Sequence, residues 1–491
     1  MFACKCKKNK SRLISLARFL SIMLKNHLFT RFVQKLSFDP TADQLNLFEK
    51  MAEFVVDHQN ADIFLVNGYA GTGKTSTIGS VVKVLEEYKQ KVILLAPTGR
   101  AAKVFSLYSS KTAYTIHKQI YRQKVAADVH SEFNLNKNLS SNAIFIVDEA
   151  SMISNVVPDQ SVFGSGNLLR DLVEYVRSGK NCKLVLVGDD AQLPPVGLDY
   201  SPALDVEVMR TYGRIVSVRL TEVVRQGANS GILKNATSIR CLLAAGELQM
   251  PKFQVKGFGD IQPITGMELL ELLESSFYEY GGDQVVVVTK SNKRANIYNN
   301  GVRQRILYRD EELSVGDAIM VVKNNYYWTS EVDELSFIAN GDIAIVERIR
   351  KYEERYGFRF ANVEVRFPDY GDLSLDVKIL MDTLTSESAS LTYEQSKLLY
   401  TGVLEDFTHL KTKKERWLAV RNDPFYNALQ VKFAYAITCH KAQGGQWPVV
   451  FIDHGYFTDE MLSVDFLRWL YTAVTRASAK VYLVNFDKKF L

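Results

Sequence analysis

A glycine-rich segment at residues 68–75 (GYAGTGKT) has the composition and spacing of a phosphate-binding loop. Its glycines let the backbone bend so that successive N–H groups point at phosphate oxygens. Lys74 would neutralise the β- and γ-phosphates, and the Thr75 hydroxyl would bind Mg²⁺. The segment therefore predicts a site for ATP and Mg²⁺. The residues expected to contact the nucleotide are Gly68, Gly71, Thr72, Gly73, Lys74 and Thr75.

Two further segments carry polar side chains that suit phosphate hydrolysis. An apolar run ends at Asp148 and Glu149, and Gln192 lies in a turn after another apolar run. Asp148 would hold Mg²⁺ together with Thr75, and Glu149 would activate the attacking water. The Gln192 amide could bond both that water and a γ-phosphate oxygen. These residues therefore predict a hydrolytic site and not a passive nucleotide-binding site.

The elements that must position these residues are short apolar strands separated by helical stretches. Such alternation is typical of α/β folds with parallel sheets, in which ligands gather at the carboxyl ends of the strands. The first strand series is predicted at residues 63–67, 92–96, 143–147 and 184–187. The second is predicted at residues 285–289, 431–437, 449–453 and 481–485.

The segment at about 315–428 interrupts the second series and has a different pattern. Its strand-like runs lie at 318–322, 342–349, 358–367 and 374–379, and a charged helical stretch follows at about 391–420. We predict a small β-barrel-like insertion with helical decoration.

Length and composition are those of a globular chain with several domains. The chain has 491 residues, of which 47% are hydrophobic and 23% charged, and no run of about 18 apolar residues predicts a membrane span. Its five cysteines are too scattered for a disulfide framework, which favours a reducing compartment. We expect no membrane association and a cytoplasmic location of bacterial or phage-like type.

The net charge of +5 comes from the amino-terminal segment. Residues 1–38 contain nine basic residues and no acidic residue, so the remainder carries a net charge of −4. Any nucleic-acid site in the body of the chain must then be a local patch. The pattern of residues 1–38 predicts a basic amphipathic helix. Three interpretations of this segment stay open: it is a transit peptide, it is a surface arm, or translation starts at Met23 and the residues before it are not part of the protein.

Seven segments together resemble the ordered motifs of superfamily 1 helicases. Their sequences are most similar to those of the RecD-like branch, which includes the phage Dda helicase. They occur in the expected order at 68–75, 96–102, 148–150, 188–197, 220–226, 436–444 and 471–477. The resemblance implies two RecA-like P-loop domains with parallel sheets, a small β-hairpin insertion and an SH3-like β-barrel insertion. The implied division is 1–38 (arm), 39–215 (first domain, hairpin about 119–140), 216–315 with 429–491 (second domain) and 316–428 (barrel).

Further nucleotide contacts follow from the resemblance. Arg225 and Arg476 match the two arginines that reach the γ-phosphate across the cleft, and Gln44 matches a glutamine that binds adenine. Gln443 and Gly444 match a nucleotide-binding motif of the second domain. Many relatives continue that motif with Ser and Glu, where this chain has Gly445 and Gln446, so a ribose contact from an acidic residue is not expected.

The resemblance also implies contacts with DNA, made by hydroxyls, amides and imidazoles that bind phosphates without reading sequence. The expected residues are Pro97, Thr98, Thr115, His117, Asn292, Thr438 and His440. Phe133 is the candidate wedge for splitting a duplex, with packing on the motor domain as the alternative. Tyr326, Tyr327 and Trp328 could stack on bases or serve as packing residues.

The implied function is an ATP-dependent DNA helicase that translocates 5′-to-3′ on single-stranded DNA. The alternatives are a motor of similar architecture that acts on RNA or moves without unwinding, and a nucleotide-gated scaffold, which the complete catalytic set disfavours. The expected partners are single-stranded DNA and duplex junctions. We expect a monomer that could work with single-stranded-DNA-binding or repair proteins.

Overall fold

The computed structural model describes residues 20–57, 61–123, 133–157, 163–224, 229–329, 335 and 337–491. In these ranges the chain forms two parallel sheets, a closed barrel and a hairpin. The predicted α/β class with parallel sheets and an inserted barrel is confirmed. Among the described helices, none has the length and apolar character required to cross a membrane.

The first unit is a six-stranded parallel sheet with helices on both faces. The strands are β1 (Ile63–Gly68), β2 (Val92–Ala96), β3 (Ala113–Thr115), β4 (Tyr121–Gln123), β5 (Phe133–Leu135), β6 (Ile144–Val147), β7 (Lys183–Gly188) and β8 (Ile215–Leu220). The strand order in the sheet is β3-β2-β6-β7-β1-β8, and a separate antiparallel pair, β4 and β5, forms the hairpin. The helices are α1 (residues 20–35), α2 (Ala42–Val56), α3 (Lys74–Glu87), α4 (Gly99–Ser109), α5 (Ile116–Ile120), α6 (Leu168–Ser178) and α7 (Val206–Arg210).

The second unit is a five-stranded parallel sheet with the barrel inserted into it. Its elements before the barrel are α8 (Gly231–Ala245), β9 (Ile261–Ile264), α9 (Leu269–Tyr280), β10 (Val285–Thr289) and α10 (Asn292–Arg305). Those of the barrel are β11 (Ala318–Val321), β12 (Ile343–Arg355), β13 (Phe358–Phe367), β14 (Leu373–Leu380), α11 (Tyr393–Asp406), α12 (Lys413–Arg421) and β15 (Leu429–Phe433). The chain then returns to the second unit with β16 (Ala436–Thr438), α13 (Cys439–Ala442), β17 (Trp447–Asp453), α14 (Val464–Val474) and β18 (Ala477–Val484). The strand order of the second sheet is β16-β10-β17-β18-β9.

One predicted strand is wrong. The apolar run at 431–437 forms two strands, because β15 closes the barrel between β11 and β14, whereas β16 pairs with β10 in the second sheet. The chain leaves the barrel and enters the second sheet within two residues. Both strands are buried and contribute to one continuous core, so the sequence pattern shows no break between them. In addition, β8 pairs with β1 in the first sheet, although the expected boundary between the first and second α/β domains lies at 215/216, near the start of this strand.

The cores lie on both faces of each sheet. In the first unit, Phe64 and Val66 point into one cluster while Ile63 and Leu65 point into the other, as the period of two in a strand requires. In the second unit, one cluster continues from the sheet into the barrel interior. The carboxyl ends of β6, β7 and β1, which are neighbours in the sheet, therefore form a rigid edge on which a site can be built.

Candidate functional site

The phosphate-binding loop connects β1 to α3. Gly71 and Gly73 have φ values of 77° and 72°, in the left-handed region that side chains disfavour. A Cβ atom at Gly73 would lie 2.8 Å from Gln44 Nε2, so the loop also excludes a side chain there by close packing. Gly73 caps α3 without a side-chain hydrogen bond, which leaves the first N–H groups of the helix available to an anion.

Lys74 is held at this loop by two oxygen atoms. Its Nζ donates to the Tyr69 carbonyl at 3.0 Å and lies 3.8 Å from Asp189 Oδ2. A hydrogen bond within the loop also stabilises its conformation, because Thr72 Oγ1 donates to the same Tyr69 carbonyl at 2.8 Å. The ammonium group is thus kept at the loop by weak partners that phosphate oxygens could replace.

Asp148 and Thr75 meet at the carboxyl end of β6. Thr75 Oγ1 donates to Asp148 Oδ2 at 3.4 Å, and the Glu149 backbone N–H donates to Asp148 Oδ1 at 2.9 Å. Burial, followed by the charge of Glu149, raises the pKa of Asp148. A carboxylate and a hydroxyl side by side fit Mg²⁺, which usually keeps several waters and takes only one or two protein carboxylates. The described residues contain no cluster of three or more acidic, histidine or cysteine ligands.

Glu149 and Gln192 each bury an oxygen atom that has no hydrogen-bond partner among the described residues. Glu149 also has a φ of 52°, an uncommon conformation for a residue with a side chain. Unpaired buried polar atoms are rare in proteins and often mark the place of a ligand or an ordered water. These two oxygens therefore fit a site that receives the reacting water.

Gln44 lies against the loop, but its amide is already bonded. Its Nε2 donates to the Thr72 carbonyl at 2.9 Å, and its Oε1 accepts from the Thr41 backbone N–H at 3.0 Å. Gln44 is completely buried and completes a capping box at the start of α2. The amide retains one further donor and one further acceptor position, but contact with adenine would require the buried side chain to become accessible.

Arg476 of the second unit is buried with an exposed fraction of 3% and bonds only to neutral oxygens. Its Nε donates to the Thr472 carbonyl at 3.0 Å, and its terminal nitrogens donate to the Gly445 carbonyl and to Thr475 Oγ1, both at 3.2 Å. Among the described residues, no carboxylate pairs with it. The other predicted arginine, Arg225, lies outside the described residues.

Gln443 and Gly444 bring the second unit against the first. Gln443 Nε2 donates to the Leu193 carbonyl at 2.6 Å, one residue beyond Gln192. Gly444 has a φ of 72°, and a Cβ atom there would lie 3.0 Å from the Ala101 side chain and 3.2 Å from Thr98 Oγ1. Glycine at this position therefore permits close contact between the two units.

The predicted DNA contacts fall into two groups. In the first unit, Pro97 and Thr98 follow β2, and Thr115 ends β3; both threonine hydroxyls accept helix-capping bonds at 3.2 Å. In the second unit, Asn292 and Thr438 line one small cavity, and His440 is exposed on α13. Each group lies at the carboxyl ends of the strands of its own sheet.

His117 and Phe133 pack in an aromatic cluster between the first unit and the barrel. The His117 ring lies 4.9 Å from Phe163, and burial lowers the pKa of His117 to about 4, so the ring is neutral at pH 7. Phe133 is 9% exposed, with its ring 4.9 Å from Phe163 and 4.3 Å from Tyr326. In this conformation the candidate wedge is a packing residue. The hairpin tip, 124–132, lies outside the described residues.

Tyr326 and Trp328 do not form an open stacking surface. Tyr326 packs on Phe133 and Phe337, and the Trp328 indole N–H donates to the Asn427 carbonyl at 2.8 Å. Two residues of the site, Asp189 and Tyr471, are not among the predicted site residues, although they lie in the helicase-like segments 188–197 and 471–477. Both are buried polar residues, and buried polar groups need partners.

Two family profiles match the chain. The profile described as an AAA domain matches residues 41–249, and the profile of the UvrD-like helicase C-terminal domain matches residues 433–484. The first covers the phosphate-binding loop and the acidic pair. The second covers Gln443, Gly444 and Arg476.

Curated relatives include an uncharacterised protein of Acanthamoeba polyphaga mimivirus, which is 23% identical over 88% of this chain and 97% of its own length. The ATP-dependent RecD2 DNA helicase of Deinococcus radiodurans is 22% identical over 90% of this chain, which spans 50% of that helicase. The ATP-dependent DNA helicase Dda of Enterobacteria phage T4 is 26% identical over 60% of this chain and 63% of its own length.

A solved structure of Pif1 helicase from Bacteroides, in complex with ADP-AlF3 and single-stranded DNA, aligns with a TM-score of 0.47 and 16% identity, covering 93% of this chain and 95% of that one. A likeness at this level supports no conclusion. The ordered motifs, the two matched profiles and the sequence relatives agree with one another: the chain contains an AAA domain and a UvrD-like helicase C-terminal domain, and it is homologous to the RecD2 and Dda helicases.

Proposed function

We propose that the chain is an ATP-dependent DNA helicase that moves 5′-to-3′ along single-stranded DNA. In this proposal, ATP hydrolysis between the two α/β units drives their relative movement. The first unit is built on β1–β8, the second on β9, β10 and β16–β18, and the barrel is inserted between β10 and β16. The observation that carries the proposal is the contact of the Gln443 segment with the loop of Gln192, beside the phosphate-binding loop.

Each residue of the site has a chemical task in this proposal. Thr75 and Asp148 would hold Mg²⁺, which screens the charge of the phosphates when it is bound with ATP. Lys74 would exchange its present partners for phosphate oxygens, and Glu149 would accept a proton from the attacking water. Arg476 supports the same chemistry, because it is a buried guanidinium that pairs with no carboxylate in the described part of the chain. Such a group is suited to stabilise negative charge that develops on a phosphoryl group.

The first test compares ATP hydrolysis by the purified chain with and without a single-stranded DNA oligonucleotide. We expect stimulation by DNA and loss of turnover in Lys74→Ala, while Lys83→Ala on the same helix remains active. An RNA oligonucleotide of the same length distinguishes the two nucleic acids. A rate that no nucleic acid changes would refute the motor function.

The second test uses forked duplexes that carry only a 5′ tail or only a 3′ tail. We expect unwinding of the 5′-tailed substrate alone. The buried position of Phe133 favours one specific alternative, a translocase that does not unwind, because the candidate wedge is not exposed in this conformation. Displacement of streptavidin from the end of single-stranded DNA, without unwinding of either fork, would favour that alternative. Unwinding only from the 3′ tail would refute the proposed direction.

A further inference from the structure

One hydroxyl of the second unit reaches into the phosphate-binding loop of the first. Tyr471, on α14, is buried with an exposed fraction of 1%. Its hydroxyl accepts from the Ala70 backbone N–H at 2.8 Å and donates to Asp189 Oδ2 at 2.7 Å. Both partners belong to the first unit, so the hydroxyl makes two hydrogen bonds across the cleft between the units.

Asp189 connects this hydroxyl to Lys74. The carboxylate is completely buried, its Oδ1 accepts from the Ala191 backbone N–H at 3.0 Å, and its Oδ2 faces both Tyr471 and the Lys74 ammonium group at 3.8 Å. A buried carboxylate needs such partners to remain charged. Removal of the Tyr471 hydroxyl would therefore change the position or charge of the group that faces Lys74.

Neighbouring hydrogen bonds fix the position of α14, which carries Tyr471, against the first unit. Thr472 Oγ1 accepts from the Leu193 backbone N–H at 2.9 Å, and the Leu193 carbonyl accepts from Gln443 Nε2 at 2.6 Å. Hydrogen bonds weaken steeply when donor and acceptor separate by a fraction of an ångström or lose alignment. The bonds of Tyr471 consequently exist only when α14 lies in its present place against the first unit.

We propose that Tyr471 is a positioning residue. Through Asp189, it makes the environment of the Lys74 ammonium group depend on the position of the second unit. When α14 is in place, the hydroxyl holds the Asp189 carboxylate beside Lys74 and fixes the Ala70 backbone of the loop. When the second unit moves away, both are released. This inference rests on the proposed function, since it describes how nucleotide turnover would depend on the contact between the units.

The phenol ring and the hydroxyl of Tyr471 have separable roles. The ring belongs to the apolar core on one face of the second sheet, where phenylalanine would fill the same space. Tyr482 is a matched control, because it is a buried tyrosine of the same unit that lies in the core on the opposite face, stacked on Phe451 at 4.5 Å. Tyr471→Phe and Tyr482→Phe thus remove the same atom from two different environments.

The test measures DNA-stimulated ATP hydrolysis by the full chain, with kcat and KM for ATP determined separately. We expect kcat of Tyr471→Phe to fall about tenfold or more, with KM changed by less than about threefold, and both values of Tyr482→Phe to stay near those of wild type. Thermal unfolding is recorded for all three proteins. A kcat of Tyr471→Phe equal to that of wild type would overturn the inference.

A double-mutant cycle separates coupling from general damage. Asp189→Asn is measured alone and together with Tyr471→Phe. If the hydroxyl acts through Asp189, the double variant should be about as impaired as Asp189→Asn alone, whereas independent additive losses would overturn the inference even if Tyr471→Phe were less stable. A wild-type chain without DNA-stimulated turnover would refute the proposed function and with it this inference. An active wild type with an unaffected Tyr471→Phe would refute the inference alone.

Discussion

Asp148 and Glu149 are adjacent in sequence, yet they lie in different environments. Asp148 is buried and accepts hydrogen bonds from Thr75 and from the backbone. Glu149 has a left-handed backbone conformation and a buried oxygen to which no described residue donates a hydrogen bond. The first environment suits a group held in place beside a metal ion, and the second suits a group that exchanges a proton with a mobile water.

This difference predicts the effect of Glu149→Gln. The amide keeps the size of the side chain but cannot accept the proton, so kcat for ATP should fall at least about 100-fold while nucleotide binding is retained. Steady-state hydrolysis and binding of a fluorescent ATP analogue measure the two quantities. Glu174→Gln, an exposed glutamate paired with Arg170, is the control. Retention of more than half of the wild-type kcat would exclude Glu149 as the base.

Among the elements, α1 changes the interpretation of the basic amino-terminal segment. Leu28 and Phe32 of this helix are buried in the core of the first unit, and Lys25 and Arg31 pair with Glu53 and Glu87 at 2.5 and 2.7 Å. Residues 20–35 are therefore packed against the first unit and part of their charge is neutralised there. Residues 1–19 lie outside the described part of the chain.

We expect Phe32→Ala to lower the free energy of unfolding by about 3–5 kcal/mol, because the substitution leaves a cavity in a packed core. Leu24→Ala on the same helix removes a side chain from a residue that is 46% exposed and should have little effect. Denaturant midpoints of the full chain test the difference. Equal midpoints for the two variants would show that α1 does not contribute to the core.

The barrel contains a carboxylate whose effect depends on pH. A hydrogen bond from Lys378, at 2.6 Å, is the main cause that lowers the pKa of Glu353 to about 2, and Asn362 adds a second at 2.8 Å. Because the folded-state pKa lies below the unfolded value, Glu353 stabilises the fold above about pH 4.5, and this contribution is lost as the pH falls towards 2.

Glu353→Gln should therefore be less stable than wild type at pH 6, with a smaller difference at pH 3. Denaturant unfolding at both pH values measures this change. The neighbouring Glu354→Gln is the control, because Glu354 is exposed. A difference between Glu353→Gln and wild type that is as large at pH 3 as at pH 6 would contradict the assignment.

At the scale of the whole molecule, a buried ionic cluster fixes the barrel to the second unit. Asp317 is completely buried and bonds to Arg303 at 3.0 Å and to Arg309 at 2.7 Å, while the Tyr435 hydroxyl donates to the same carboxylate at 3.0 Å. Arg303 lies on α10, Asp317 precedes β11, and Tyr435 lies between β15 and β16. The cluster therefore links the segment by which the chain enters the barrel to the segment by which it returns to the second unit.

Asp317→Asn should lower the free energy of unfolding by about 3–5 kcal/mol, because it leaves the buried guanidinium group of Arg303 and the partly buried one of Arg309 without their shared counter-charge. Asp376→Asn, in an exposed ion pair with Arg350 at the barrel surface, should change stability by less than about 1 kcal/mol. Thermal and denaturant unfolding compare the two variants. A small effect of Asp317→Asn would mean that packing alone holds the barrel.

Local sequence predicts a phosphate-binding loop, an acidic pair and most strands, because these features depend on neighbours along the chain. The predicted strands at 92–96, 285–289 and 358–367 have the bounds that the structure has. The prediction is wrong at 431–437, where one apolar run is divided between a barrel strand and a strand of the second sheet. Both strands contribute to the same core, so the pattern of apolar residues cannot show the change of sheet.

The sequence alone thus predicts which groups could bind phosphate and where most strands lie along the chain. Tertiary packing determines which of those groups meet. Phe133 is buried because Tyr326, distant in sequence, covers it, and Lys74 is linked to Tyr471 only because Asp189 lies between them. Such contacts join residues up to 401 positions apart, and their distances depend on the whole fold and not on any local pattern.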